Sequence, residues 1–250
     1  MYGAFCLNLT IEPEICVAST CKKHSFFIVG ERCSGTNYLQ ALIAENTELS
    51  ASTGYGWKHG FPMFPAVAPD TVVFVIFRNA LDWVRSMYGK PWHASPKIQS
   101  MNFRDFVRCQ WNSIVDIGVY FELLHDDPCV GEVLQYDQHP ISGRPFKHII
   151  DLRNNKMSSH LGLRNRDLNV VLCTHEHISR EPELFLRSVS ETFSIEVNEP
   201  FSIPSGHFGW PWPEEIRVVA LPPKGLEPSD KAWVLENLDI SQERLVGYRY

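Results

Sequence analysis

Ser25-Phe26-Phe27-Ile28-Val29-Gly30-Glu31-Arg32-Cys33-Ser34-Gly35-Thr36-Asn37-Tyr38-Leu39 is the stretch on which the reading of the fold turns. It begins as a short apolar run ending on glycine, the pattern of a buried strand. It ends by opening a helix over residues 37–45, where Leu39, Leu42 and Ile43 fall at i, i+3 and i+4. Between the two, Gly30 and Gly35 have the G-x-x-x-x-G spacing of a phosphate-cradling loop. Glycines let the backbone turn its N–H groups inward, and the helix start adds partial positive charge. The hydroxyls of Ser34 and Thr36 add hydrogen bonds, so a phosphate or sulfate can be held here. A glycine-punctuated turn with no ligand is the plain alternative. The loop continues as Thr36-Asn37, where an ATP-hydrolysing loop needs Lys followed by Ser or Thr. Without that lysine and that Mg²⁺-binding hydroxyl, the loop argues against a nucleoside-triphosphate enzyme.

Working outward, Val72 to Phe77 reads as a second central strand, followed by a helix from Asn79 to Tyr88. Asn79 can cap that helix, with Asp82 three residues on. A longer helix is expected over residues 102–124, with Phe103, Phe106, Val107, Trp111, Ile114 and Val115 on one side. A loop covers 125–144 and a helix 149–163, with Ile149-Ile150 as a short strand the alternative at its start. A third buried strand covers Leu168–Cys173, and a helix follows over Pro182–Phe193. Seven prolines make 199–228 irregular, and a last helix covers Ser229–Leu238. Weak strand character lies near Cys6–Ile11. Strands alternating with helices predict an α/β fold, a three-layer parallel sheet with helices on both faces. No linker interrupts it, so residues 1–250 are read as one domain.

The bulk numbers narrow the function classes. The chain has 250 residues, 44% hydrophobic and 21% charged, an ordinary globular balance. Its net charge of −6 and pI of about 5.9 speak against nucleic-acid binding. The longest apolar runs are strand-sized, so no membrane span is expected, nor a signal peptide. Seven cysteines without a CxxC pair fit free thiols in a reducing compartment, which predicts a cytoplasmic protein.

Three further segments bear chemistry. Arg78 ends a strand, and Ser86 lies in the helix after it. An arginine there faces the ligand crevice of a parallel sheet, and its fork suits phosphate; a solvated strand-end arginine is the alternative. Gly56-Trp57-Lys58-His59-Gly60-Phe61-Pro62 sets a histidine beside a lysine, a candidate acid/base pair. His175 and His177 alternate as on a strand end, which suggests a metal, although no third ligand is indicated.

Together these blocks resemble the bacterial-type sulfotransferase family, which uses 3′-phosphoadenylyl sulfate (PAPS). The family's 5′-phosphosulfate loop, Ser-Gly-Thr-Thr/Ser-Trp/Tyr-Leu, is matched by Ser34-Gly35-Thr36-Asn37-Tyr38-Leu39. Its 3′-phosphate motif, Arg-Asn/Asp-Pro-x-Asp-x-x-x-Ser-x-Tyr, is matched by Arg78 to Tyr88 with Ala80 for proline. The resemblance implies a P-loop NTPase-like fold. It also implies cofactor contacts from Arg32, Cys33, Ser34, Gly35, Thr36 and Asn37, Tyr38 against the adenine, and Arg78 with Ser86 on the 3′-phosphate. Where the family has Lys or Arg before the serine, this chain has Cys33, and Arg32 one residue earlier is the expected substitute. His59 is implied as general base, with Lys58 neutralising charge on the transferring group or on the leaving phosphate. Looser likenesses lie at Leu152–Lys156, Thr174–Ile178, Lys224-Gly225 and Glu243–Tyr248, so the resemblance spans residues 25–248. Arg153 and Lys156 are read as lining the substrate side or as a solvated helix face.

The implied reaction moves a sulfuryl group from PAPS to a hydroxyl or amine of a small-molecule or carbohydrate acceptor, in line and without a metal. The acceptor pocket is expected within residues 88–165, with Trp92, His93 and Trp111 as candidates. A P-loop kinase using ATP, or a catalytically silent nucleotide-binding relative, are the alternatives.

Overall fold

The computed structural model describes residues 12–121, 127–206, 208–209 and 222–250. In chain order its regular elements are β1 (Glu14–Cys16), β2 (Ser25–Val29), α1 (Thr36–Asn46), β3 (Ser50–Ala51), β4 (Thr71–Phe77), α2 (Ala80–Gly89), α3 (Pro96–Gln99) and α4 (Phe103–Arg108). These are followed by α5 (Ile149–Leu161), β5 (Val170–Thr174), α6 (His175–Arg180), α7 (Pro182–Phe193), α8 (Pro228–Asn237) and α9 (Ile240–Leu245).

The five strands form one sheet in the order β1-β5-β4-β2-β3. Only β1 runs antiparallel, against β5; the pairs β5–β4, β4–β2 and β2–β3 are parallel. All seven residues of β4 are buried, as expected of a strand covered on both faces. The pleat sends Phe26, Ile28, Phe74, Ile76 and Val171 to one face, where Leu39, Leu42 and Ile43 of α1 and Phe185 and Val189 of α7 cover them. Phe27, Val29, Val73, Val75 and Leu172 point the other way, against Met157 and Leu161 of α5 and the late residues Val246 and Tyr248. A third core beside the sheet gathers Trp83, Met87, Phe106, Trp111, Phe146 and Ile150. Among the described residues no helix is long and apolar enough to cross a membrane.

From β2 the chain crosses by α1 to β3 on one side, then returns to β4 on the other. The crevice for a ligand in such a sheet opens outside the strand carboxyl ends, at this reversal. Gly30, Arg78 and His175 each follow the last residue of β2, β4 and β5.

The expected helix over 102–124 is a correction. Among the described residues of that stretch the α-helix is α4 alone, with a short 3-10 helix over Gly118–Phe121, and Trp111 and Ile114 instead make isolated bridges to Phe146 and Val133. Trp111 is fully buried in this extended form. Its bridge exchanges two backbone hydrogen bonds with Phe146, at 2.9 and 3.2 Å, so burial and backbone pairing are both met without a helix. Residues 122–124 lie outside the described residues, as does the weak strand near Cys6–Ile11. His175 and His177 open α6 rather than ending a strand. Two residues on a helix are about 200° apart, so the two rings diverge. His177 is buried with its ring against Phe185.

Candidate functional site

The glycine-rich turn, the candidate anion cradle, is packed tightly between two strands and a helix. Gly30 leaves the sheet so close to β4 that a Cβ there would meet Ile76 Cγ2 at 2.6 Å. Gly35 is the N-cap of α1 with φ 93°, and a Cβ would meet His175 Cδ2 at 2.4 Å. Cys33 is also left-handed, at φ 62°. No side chain caps α1, and its first turn holds no acidic residue. The N–H groups of Gly35, Thr36, Asn37 and Tyr38 donate to no described carbonyl or side chain, and the hydroxyls of Ser34 and Thr36 bond no other described residue. Four unsatisfied N–H groups at a helix start are what an anion satisfies.

Arg78 arrives at this rim from the neighbouring strand. Its Nη1 donates to the carbonyl of Cys33 at 2.9 Å, and no described group takes its other N–H groups. Ser86 also meets Cys33, at the thiol, whose proton affinity burial pushes up despite that hydrogen bond. The Cys33 thiol points to Lys90 O at 3.7 Å. The backbone around Arg78 is clamped: Arg78 O accepts from Arg153 Nη2 at 2.8 Å, Asn79 N donates to Glu176 Oε1 at 2.9 Å, and Ala80 N donates to Tyr250 Oη at 3.0 Å. Asn79 caps α2 by accepting from Leu81 N.

Lys58 brings a cation from a neighbouring loop to the start of α1. Its ammonium donates to Asn37 Oδ1 at 2.5 Å, and burial lowers its pKa to about 8. His59 Nδ1 lies 2.7 Å from Gly30 O. A carbonyl only accepts, so Nδ1 carries the proton and Nε2 the lone pair. Burial first, then Lys58, pushes the His59 pKa well below 6.5, so the imidazole is neutral. Gly30 N in turn donates to Lys58 O at 3.0 Å, which ties this loop to the cradle.

Arg32 is a correction. It is 2% exposed, with Nε on Glu31 at 2.8 Å, Nη2 on Asp137 at 2.6 Å and Nη1 on Trp92 O at 2.8 Å. Its charge is neutralised inside the protein and unavailable to a donor's bridging oxygen. Lys156 completes a buried ring of alternating charge, pairing with Glu31 at 2.7 Å and with Asp137. Burial alone would raise Glu31, but Lys156 and Arg32 outweigh it and lower its pKa to about 2. Lys156 also donates to His59 O at 2.6 Å. Arg153 is equally buried, paired with Glu243 at 2.7 Å. Neither Arg153 nor Lys156 lines a substrate or faces solvent; both hold the site from beneath.

Two neighbours of the cradle carried little weight in the sequence. His175 packs its ring on Gly35, and burial, then Arg78, lowers its pKa. Phe208 sets its ring 5.6 Å from that of Tyr38, and its carbonyl accepts from Asn37 Nδ2 at 2.7 Å. No local pattern marks Phe208, which meets α1 only through the fold. The Lys224-Gly225 segment lies against α2, where Lys224 O accepts from Arg85 Nη2 at 2.7 Å. On the far side of His59, Trp57 packs against His59 and His93 at 5.5 and 5.4 Å. Trp111 is buried in the third core instead, its indole N–H on Ser113, and lines no crevice. Among the described residues no three His, Cys, Asp or Glu side chains converge as metal ligands. No protein-family model, curated protein or solved structure matches this chain.

Proposed function

We propose that this chain is a sulfotransferase that takes the sulfuryl group of PAPS and passes it to a hydroxyl or amine of a small-molecule or carbohydrate acceptor, on a P-loop NTPase-like fold. The observation that carries the reading is convergence on one loop. Arg78 meets it at Cys33 O, Lys58 meets it at Asn37, and four N–H groups of α1 are left open between them. Arg78 and Ser86 suit the 3′-phosphate, the charge that separates PAPS from ATP. The loop and helix start suit the 5′-phosphosulfate, and Tyr38 with Phe208 offers two aromatic rings to an adenine.

In the transfer, the acceptor oxygen or nitrogen forms a bond to sulfur as the bond from sulfur to the bridging oxygen breaks. Adenosine 3′,5′-bisphosphate leaves with the electron pair. Lys58 and the α1 N–H groups face the charge that grows on the leaving group. His59 Nε2 receives the acceptor's proton. Its imidazole is a weak base beside Lys58, and the negative charge of a bound donor offsets that cation and strengthens it.

Titration calorimetry tests the reading. Tight binding of adenosine 3′,5′-bisphosphate with weak binding of ATP·Mg²⁺ is expected. The reverse order would make the chain an ATP-using kinase, and donor binding without transfer to any acceptor would make it a silent relative.

A further inference from the structure

A second imidazole, joined to His59 through the Trp57 indole, is not used by the transfer. His93 lies just past α2, on a stretch fastened to the donor loop. Lys90 O receives the Cys33 thiol at 3.7 Å, and Trp92 O receives Arg32 Nη1 at 2.8 Å. His93 has left-handed backbone, φ 62°, a conformation that a residue with a Cβ keeps only when its surroundings enforce it. Asp116 enforces it twice. Its Oδ2 accepts from His93 N at 2.9 Å and its Oδ1 faces His93 Nδ1 at 2.6 Å. Both side chains are 6% exposed.

A carboxylate oxygen accepts, so Nδ1 carries a ring proton, and in the neutral imidazole Nε2 is then the acceptor. Nε2 bonds no described residue. Around the ring stand Trp57 at 5.4 Å, Phe121 at 5.1 Å and Tyr120 at 6.0 Å. The same Trp57 indole packs against His59 at 5.5 Å. Two imidazoles, each held at Nδ1 and without a described partner at Nε2, thus share one indole.

We propose that the His93–Asp116 pair is the acceptor-recognition site, where Nε2 of His93 accepts a hydrogen bond from a second hydroxyl or amine of the acceptor while the reacting one lies at His59. The inference rests on the transfer reading and gives it an acceptor class: a ring-sized molecule with two hydrogen-bond-donating groups. An acceptor lacking the second donor buries Nε2 without a partner, the arrangement by which polar sites reject analogues.

The test compares catechol with phenol, which differ by one hydroxyl, by titration calorimetry on protein saturated with adenosine 3′,5′-bisphosphate. Catechol is expected to bind about tenfold more tightly, the scale of one hydrogen bond left unmade. His93→Asn keeps a residue that accepts left-handed backbone and removes Nε2; the preference then falls to about twofold or less. Asp116→Asn sets an amide donor against Nδ1, which moves the ring proton to Nε2. It abolishes the preference too, and nitrogen-15 NMR of the imidazole reads the changed tautomer. Equal binding of the two probes, binding of neither, or an unchanged preference in His93→Asn overturns the inference alone. Failure of the bisphosphate to bind overturns the transfer reading, and this one with it.

Discussion

Lys58 stands at the start of α1 as a partly desolvated ammonium whose pKa has fallen to about 8. Without ligand it gives up its proton near that pH, whereas a bound polyanion holds the proton to higher pH. Affinity for adenosine 3′,5′-bisphosphate is therefore level below pH 8 and declines above it, with proton uptake on binding at pH 9. Calorimetry in buffers of different ionisation enthalpy measures that uptake, and Lys58→Met removes it. Arg78→Ala is expected to weaken the same ligand by about 2 kcal/mol or more, the loss of a charge-assisted contact. His59→Ala is expected to lower turnover about a hundredfold or more while donor affinity hardly changes, which steady-state kinetics beside calorimetry separates. Residue type and spacing in the chain made Arg78 and His59 legible as candidates. They misplaced Arg32, because one position along a left-handed loop decides whether a side chain turns to the ligand or inward. Asp137, which takes Arg32's charge, is distant in sequence and belongs to no motif.

At the scale of elements, β2, the glycine-rich turn and α1 were legible because each obeys a local rule: a continuous apolar run, glycine punctuation, and an i, i+3, i+4 face. The helix α7 begins and ends where its proline and apolar period place it. Beyond residue 108 the same periodicity misleads. Trp111 and Ile114 satisfy a helical stripe, yet they pair with Phe146 and Val133, 35 and 19 residues further along the chain, about which a local window holds no information. Gly35 joins the strand–loop–helix to its neighbour. Gly35→Ala is expected to cost about 1–3 kcal/mol from left-handed strain, read as a lower midpoint in chemical unfolding, and to weaken anion binding. Adding His175→Ala removes the 2.4 Å contact but not the strain, so stability is recovered only in part.

Over the whole molecule, the ring of Glu31, Arg32, Asp137 and Lys156 joins the glycine-rich turn, α5 and the segment before it in one closed set of charges. Asp137→Asn leaves two buried cations facing one carboxylate and is expected to cost about 3–5 kcal/mol, on the order of 10 °C in Tm by calorimetric scanning. Acid acts on the same region. His59 and His160 have lowered pKa values, His160 at about 4 through burial, so their stabilising contribution is complete above about 6.5 and drains away as pH falls. Glu31 follows, from about 4.5 down through its folded value of about 2. A plot of Tm against pH should bend downward below about 6.5 and again below about 4.5. The clamp on residues 78–80 has a consequence for how the protein can be divided. Its fasteners, Arg153, Glu176 and Tyr250, come from the second half of the chain, and Glu243 holds Arg153 from there as well. A fragment ending before residue 243 would retain the glycine-rich turn, Arg153 and Glu176, but lose Tyr250 from Ala80 N and the Glu243 carboxylate that holds Arg153, so the support beneath Arg78 is complete only when the last eight residues are present.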